Sequence, residues 1–162
     1  MTMNSQATQD PLLKVEDLKH SFVEGGARVR ALRGVSFEAR RGQVTAIVGP
    51  SGCGKSTLLY LLGLLDRPES GEILLDNRPL AKASDEERTA LRNESIGFVF
   101  QFHFLIKELT ARENVALPLR KSGAGEREAL SRADDLLAKL GLGEKADRFA
   151  NKLSGGEQQR VA

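Results

Sequence analysis

The segment GPSGCGKS, residues 49–56, constrains the fold of this chain more than any other feature of its sequence. It matches the pattern G-x-x-x-x-G-K-[ST] at every defined position. The residues before it, VTAIV at 44–48, are short, apolar and β-branched, which predicts a parallel strand covered on both faces. A helix is predicted to follow from Lys55 to about Leu65. A strand, a glycine-rich loop and a helix in this order predict a phosphate-binding loop in an α/β fold.

The residue types in this loop suit the binding of phosphate. Glycines let the backbone wrap closely, so that successive N–H groups point at phosphate oxygens. The start of the following helix adds its positive end. We expect Lys55 to reach the β- and γ-phosphates and Ser56 to offer its hydroxyl to Mg²⁺. The candidate nucleotide-binding residues here are Gly49, Pro50, Ser51, Gly52, Cys53, Gly54, Lys55, Ser56 and Thr57.

Cys53 lies inside the loop and is the single cysteine of the sequence, so an internal disulfide is excluded. Two interpretations of it remain open. In the first, any small residue serves at this position because the backbone does the binding. In the second, Cys53 is a thiol whose alkylation is blocked by bound nucleotide. The loop alone also leaves GTPases, small-molecule kinases and transport ATPases as alternatives.

Composition excludes several classes of protein. The chain has 162 residues, 40% of them hydrophobic, which is typical of one globular domain with a real core. Its net charge of +2 is too small to favour nucleic acid as a partner. The longest apolar run, residues 58–65, is far shorter than the roughly 20 residues of a membrane-spanning helix. Residues 1–10 are polar and predict a flexible tail, which leaves 11–162 as the domain.

The first half of the chain outside the loop is predicted to be mostly strand. Residues 12–24 alternate between apolar and polar, and 29–39 read as two short strands around Gly34. These segments predict an N-terminal antiparallel sheet. A further strand is predicted at 72–76, and the apolar segment IGFVF at 96–100 predicts a second buried parallel strand.

The second half is predicted to be mainly helical. Ser84 and Glu87 have the spacing of a capping box, which predicts a helix over about 85–93. A longer helix is predicted over 126–140 with Gly141 as its C-cap. Its apolar face is formed by Ala129, Leu130, Ala133, Leu136, Leu137 and Leu140. Together these patterns predict an α/β fold with a phosphate-loop core, an antiparallel β-subdomain and a helical subdomain.

A second pattern, LSGGEQQR at residues 153–160, also suits an anion. Glycines before a helix leave N–H groups free, although taken alone a helix capped by Ser154 is the simpler interpretation. Together with the phosphate loop, the segment closely resembles the signature motif of ATP-binding cassette (ABC) ATPases and argues against a kinase or GTPase. The resemblance covers residues 12–162. It implies that ATP is shared with a second subunit, most simply in a homodimer, and that the signature residues facing the partner's ATP are Ser154, Gly155, Gly156 and Glu157.

Two further residues acquire roles through this resemblance. Gln101 follows IGFVF and corresponds to the glutamine that contacts Mg²⁺ and the attacking water. A polar residue at the end of a parallel strand is also typical of a ligand-binding edge. Phe22 corresponds to the aromatic residue that stacks on adenine, with a core position in the first sheet as the alternative. His20 and His103 are interpreted as incidental, because no set of metal ligands accompanies them.

The segments at 97–105 and 109–119 refine the resemblance. They resemble ABC ATPases that drive lipoprotein release from the bacterial inner membrane, and the related macrolide-export type. This implies a transmembrane permease partner and a cytoplasmic location, peripheral on the inner face of the membrane. Phe102, Phe104 and Leu105 are then expected near the groove that receives the permease, or equally in the core of the helical subdomain.

The family's later motifs have no counterpart in the sequence. No apolar strand ending in Asp-Glu follows the signature. Asp76 ends an apolar strand but cannot replace that acidic pair, because it precedes the Q-loop, the segment that contains Gln101. We therefore interpret the chain as an N-terminal portion of an ABC ATPase, with the Q-loop and helical subdomain at about 85–162. We expect weak ATP binding with negligible hydrolysis, and uncovered apolar edges at 44–48 and 96–100. The alternative function is a nucleotide-binding fragment without turnover.

Overall fold

The computed structural model describes residues 10–162, so the predicted tail at 1–10 lies, except for Asp10, outside the described residues. The chain divides into two compact units. The first extends to Ile96 and contains the sheet and the phosphate loop. The second is Gly97–Ala162 and is helical.

The first unit is built on a four-stranded antiparallel sheet. Its strands are β1 (Leu13–Glu24), β2 (Ala27–Ala39), β3 (Ser70–Leu75) and β4 (Arg78–Pro79). They lie in the order β2-β1-β3-β4, and every neighbouring pair is antiparallel. The predicted antiparallel sheet is therefore confirmed.

The prediction of two short strands around Gly34 was wrong, because β2 runs through this residue without a break. Gly34 has a φ of 106°, and the register between β1 and β2 shifts beside it. A second shift leaves Ala31 as an extra residue on β2, since His20 pairs with Leu32 and the next residue of β1 pairs with Arg30. Such β-bulges bend a strand without ending it.

One face of this sheet carries the core of the first unit. Val15, Leu18, Leu32 and Ile73 are buried against Leu58 and Leu61 of α1 (Lys55–Leu62), the helix that follows the phosphate loop. The helix ends three residues earlier than predicted. The carbonyl groups that follow it accept hydrogen bonds from α2 (Asp85–Glu94). The capping box predicted at the start of α2 is confirmed.

The two predicted parallel strands, 44–48 and 96–100, are not strands in the structure. Val44 is 100% exposed and Val99 is 88% exposed. A strand exists through hydrogen bonds to its neighbours, and the only ladders among residues 10–162 belong to the antiparallel sheet. The expected exposure of apolar residues is found at Val44, Val48 and Val99, although they do not form strand edges and Ile47 packs against the core of the first unit. Ile96, Phe98 and Phe100 nevertheless alternate with more exposed residues, as in a half-covered strand.

The second unit contains three helices, α3 (Ala111–Lys121), α4 (Glu126–Lys139) and α5 (Gly155–Val161). Short 3₁₀ turns lie at Gly143–Lys145 and Ala150–Lys152. Thr110 and Glu113 form a capping box at the start of α3. None of the helices within residues 10–162 combines the length and the apolar character needed to cross a membrane.

Alanines form much of the interface between α3 and α4. Ala116, Ala129 and Ala133 are fully buried there, which lets the two helices approach closely. The predicted apolar face of α4 is confirmed except for Leu140, which lies at the end of the helix and is about half exposed. The C-cap is this residue rather than Gly141, which follows it with a φ of 70°.

Candidate functional site

The phosphate loop passes directly into α1, and Gly54 is the N-cap of that helix. Gly54 has a φ of 95°, a conformation that favours glycine. A Cβ atom on this residue would lie 2.5 Å from the carbonyl oxygen of Ala31 and 3.0 Å from the side chain of Leu32. The loop is therefore seated against the bulge of β2, and only a residue without a side chain fits this contact.

Lys55 places its ammonium group over the backbone of the same loop. Its Nζ donates hydrogen bonds to the carbonyl oxygens of Gly49 at 2.9 Å and Pro50 at 2.7 Å. The Sγ of Cys53 lies 3.8 Å from the same nitrogen. Ser51, Gly52 and Cys53 are exposed to solvent. The ammonium group of Lys55, the one cation in the loop sequence, is thus bound by loop carbonyl groups beside a solvent-exposed part of the loop.

A groove of about 350 Å³ runs between the phosphate loop and the edge of β2. Two arginines, Arg30 and Arg33, line it on the strand side, and Gly52 and Cys53 line it on the loop side. Cationic side chains beside an exposed glycine-containing loop favour an anionic ligand. The sequence alone did not indicate these arginines, because their proximity to the loop depends on how β2 packs.

Phe22 lies on β1 and is 42% exposed, so it is not a core residue of the first sheet. Its ring contacts the ring of His20 edge-on, with centroids 4.7 Å apart and an interplanar angle of 76°. The ring of Phe22 is therefore partly accessible to solvent and packs against the ring of His20. His20 itself was interpreted as incidental, but the structure gives it this contact.

The predicted signature residues form the start of α5 in the second unit. Ser154 is the N-cap, and its backbone N–H donates to Oε2 of Glu157 at 2.9 Å. The other carboxylate oxygen of Glu157 accepts a hydrogen bond from Nζ of Lys145. The Lys145 ammonium, together with the Ser154 N–H, lowers the pKa of Glu157 to about 2. Gly155 and Gly156 are exposed, so the loop is fixed by side chains while its glycine backbone stays accessible.

The segment after IGFVF carries the second group of predicted residues. Gln101 and Phe102 are exposed, and Phe104 is exposed with a φ of 46°. Phe102 and Phe104 therefore do not occupy the core of the helical subdomain, which was one of the two alternatives. Leu105, in contrast, packs against the core of the second unit. His103 Nδ1 lies 3.3 Å from Oε1 of Gln159, the seventh residue of the LSGGEQQR motif.

Gln159 also donates through Nε2 to the carbonyl oxygen of Phe100 at 3.2 Å. The Q-loop segment and the signature helix are thus joined by one side chain within the second unit. Sequence reasoning missed this role for Gln159, because the contact joins segments more than 50 residues apart. An apolar groove of about 560 Å³ opens beside this junction, lined by Phe98, Phe100, Phe104, Leu117 and Leu140, among others.

A profile described as ABC transporter matches residues 32–162. The chain belongs to the ABC transporter family. The family assignment and the α/β fold with a phosphate loop, both expected from the sequence, are thereby confirmed.

Its relatives narrow the subgroup. The chain is 47% identical over 160 residues to the lipoprotein-releasing system ATP-binding protein LolD of Gluconobacter oxydans, covering 99% of this chain and 69% of that protein. It is also 47% identical over 151 residues to LolD of Aquifex aeolicus, covering 93% and 66%. The chain therefore spans about two thirds of the length of these relatives.

Solved structures of ATP-binding cassettes also superpose on this chain. The ATP-binding cassette MJ0796, in a dimeric post-hydrolysis state bound to ADP and Pi, superposes with a TM-score of 0.84 at 39% identity, covering 92% of this chain and 66% of that one. CbiO1 of Clostridium perfringens, part of the transporter complex cbiONQ, gives 0.76 at 34% identity, covering 94% and 59%.

Proposed function

We propose that this chain is the ATP-binding part of an ABC transporter subunit that couples ATP binding and hydrolysis to lipoprotein release or export. The observation that carries the proposal is the phosphate loop, with the Lys55 ammonium hydrogen-bonded to its own backbone carbonyls. The relatives named as lipoprotein-releasing ATP-binding proteins support the transport class.

The residues of the loop are suited to bind the triphosphate of ATP. The Lys55 ammonium is held by neutral carbonyl groups, which a phosphate oxygen can replace with a stronger, charge-assisted hydrogen bond. The backbone N–H groups of the loop and the start of α1 supply further donors. In this proposal Phe22 stacks on the adenine ring through its exposed face.

Mg²⁺ is the metal ion that we propose to accompany ATP. Ser56 is exposed at the second position of α1, and Gln101 is exposed in the second unit. Their hydroxyl and amide oxygens are ligands of the hard type that Mg²⁺ prefers. Residues 10–162 contain no group of three His, Cys, Asp or Glu side chains placed to hold a metal by themselves. In this proposal the phosphates of ATP supply the remaining ligands of the ion, which neutralises their charge.

The signature residues are proposed to act across a dimer of ATPase subunits. The accessible glycine backbone after Ser154, held by Glu157 and Lys145, can donate N–H groups to the ATP of the partner. The dimeric state reported for the cassette MJ0796 supports this arrangement. Residues 11–162 then form part of a single ABC ATPase domain, whose Q-loop and signature segments lie in the second unit.

A transmembrane permease is the second proposed partner. The apolar groove of the second unit and the exposed rings of Phe102 and Phe104 offer a surface for a helix of such a partner. The subunit would then lie peripherally on the inner face of the cell membrane. The lipoprotein-releasing relatives support this location.

The first experiment tests nucleotide binding by calorimetry with Mg-ATP. Lys55→Ala should weaken binding at least tenfold, because a charge-assisted hydrogen bond contributes about 1.5–3 kcal/mol. Lys82→Ala, an exposed lysine outside the loop, is the matched control and should leave the affinity unchanged. Equal affinities for all three proteins would contradict the proposed site. Phosphate release measured on the same samples separates an ATPase from a fragment that only binds.

The second experiment tests the transport class in cells. The intact gene that contains this sequence should restore growth to a bacterium depleted of its own lipoprotein-releasing ATP-binding subunit, and Lys55→Ala in that gene should abolish the rescue. Nucleotide binding without rescue, in cells that express the protein, would restrict the proposal to ATP binding.

A further inference from the structure

His20 is a buried histidine whose ring nitrogens have no hydrogen-bond partner among the described residues. The residue is 8% exposed on β1, two positions before Phe22. Both Nδ1 and Nε2 are buried and unsatisfied. Buried polar groups are nearly always hydrogen-bonded. The carboxylate of Asp66 lies near Nε2 but does not meet hydrogen-bond geometry, so the retention of this polar ring calls for a further explanation.

The ring of His20 makes two contacts that point to such an explanation. On one side it meets the ring of Phe22 in the T-shaped geometry described above. On the other side its Nε2 lies 3.4 Å from Oδ2 of Asp66, in the turn that follows α1. The carbonyl oxygen of Asp66 in turn accepts a hydrogen bond of 2.6 Å from the largely buried Arg88 of α2. His20 therefore connects an exposed aromatic ring to the anchored end of the phosphate-loop helix.

We propose that His20 is a positioning residue that fixes the ring of Phe22 for stacking on the nucleobase. This inference rests on the proposed ATP-binding function and concerns the part of the affinity that depends on the base. An exposed phenyl ring loses conformational freedom when it stacks on a ligand, and a ring already held edge-on by a neighbour loses less. His20 thus acts through Phe22 and does not contact the phosphates.

Two probes separate the base from the phosphates. Mg-ATP carries both, whereas inorganic tripolyphosphate carries the phosphates alone. His20→Leu replaces the ring with an apolar side chain that suits a buried site, and His20→Phe keeps a flat ring while also removing the unsatisfied nitrogens. Both variants therefore suit the buried position, and circular dichroism checks that they fold. Val15→Ala, in the core of the first unit and on the same strand as His20, is the control for general destabilisation.

The expected result is specific to one variant and one probe. His20→Leu should weaken ATP binding about 2- to 10-fold, the range that corresponds to one edge-to-face aromatic contact. It should leave tripolyphosphate binding unchanged. His20→Phe should bind both probes like the parent protein, and Val15→Ala should not change their ratio. In a Phe22→Leu background the effect of His20→Leu on ATP binding should disappear, because the residue through which it acts is gone.

Two kinds of outcome would overturn this assignment. If Lys55→Ala weakens binding of both probes at least tenfold but His20→Leu and His20→Phe bind ATP equally, the proposed function stands and the role of His20 is wrong. The role of His20 is also wrong if His20→Leu weakens the binding of both probes equally, or if it weakens ATP binding in the Phe22→Leu background as well. If the parent protein binds neither probe, the proposed function is wrong and the role of His20 falls with it.

Discussion

The contact between Gly54 and the carbonyl group of Ala31 predicts that two glycines of one loop will respond differently to the same substitution. Gly54 and Gly52 both have positive φ, 95° and 80°. A Cβ atom on Gly54 would meet the Ala31 carbonyl oxygen at 2.5 Å, whereas one on Gly52 would meet nothing within 4 Å. Gly54→Ala and Gly52→Ala therefore share the backbone strain but not the steric overlap.

The magnitudes follow from this difference. A residue with a side chain in the left-handed region costs roughly 1–2 kcal/mol, which applies to both substitutions. Overpacking against a neighbour that cannot move away costs about 1–3 kcal/mol more, and a backbone carbonyl is such a neighbour. The smaller entropy of the unfolded chain with alanine is common to both and cancels. Gly54→Ala should therefore be less stable than Gly52→Ala by about 1–3 kcal/mol.

Urea unfolding followed by circular dichroism measures this difference. With a slope of about 2 kcal/mol per molar urea, the midpoint of Gly54→Ala should lie roughly 1 M below that of Gly52→Ala. Its affinity for ATP should fall as well, since the overlap displaces the loop that holds Lys55. Equal midpoints for the two variants would refute the claim that the loop is seated against β2.

Two further predictions concern single groups in the proposed sites. Because the pKa of Glu157 is lowered to about 2, its carboxylate should stabilise the fold above the ordinary glutamate pKa, and this contribution should be lost as the pH falls from there towards 2. Lys145→Met should raise that pKa by removing its main cause, which carboxyl NMR titration measures; an unchanged titration would contradict the ion pair. For Cys53, exposed beside the Lys55 ammonium, bound Mg-ATP should slow alkylation by iodoacetamide; equal rates with and without nucleotide would favour the interpretation that any small residue serves there.

Features that depend on neighbouring residues in the sequence were predictable. The capping box of Ser84 and Glu87 and the helix after the phosphate loop involve residues within one turn of each other, so their sequence pattern nearly determines their structure. The loop and the signature were recognised for the same reason. Gly34 shows the limit of this approach, because a glycine signals a change of direction but does not distinguish the end of a strand from a bulge within it.

Features that depend on distant partners were not predictable. The segment 44–48 has the composition of a strand, but strand formation requires a ladder that its own residues cannot supply. Likewise, nothing adjacent to Gln159 indicates that it binds the carbonyl of Phe100, and nothing adjacent to Lys145 indicates its pairing with Glu157. These contacts fix the candidate site, yet only the folded chain brings their members together.

The bulge at Ala31 shows how such a distant contact can be built into a regular sheet. Pairing between β1 and β2 does not require this residue, because Leu32 and Arg30 on either side of it pair with consecutive residues of β1. Deleting it would leave both strands paired, so hydrogen bonding within the sheet does not explain its presence. Its carbonyl oxygen, however, occupies the space that a side chain on Gly54 would need. The extra residue of β2, Ala31, therefore contacts the loop at the position where Gly54 has no side chain. A phosphate loop seated in this way depends on the antiparallel sheet as much as on its own glycines.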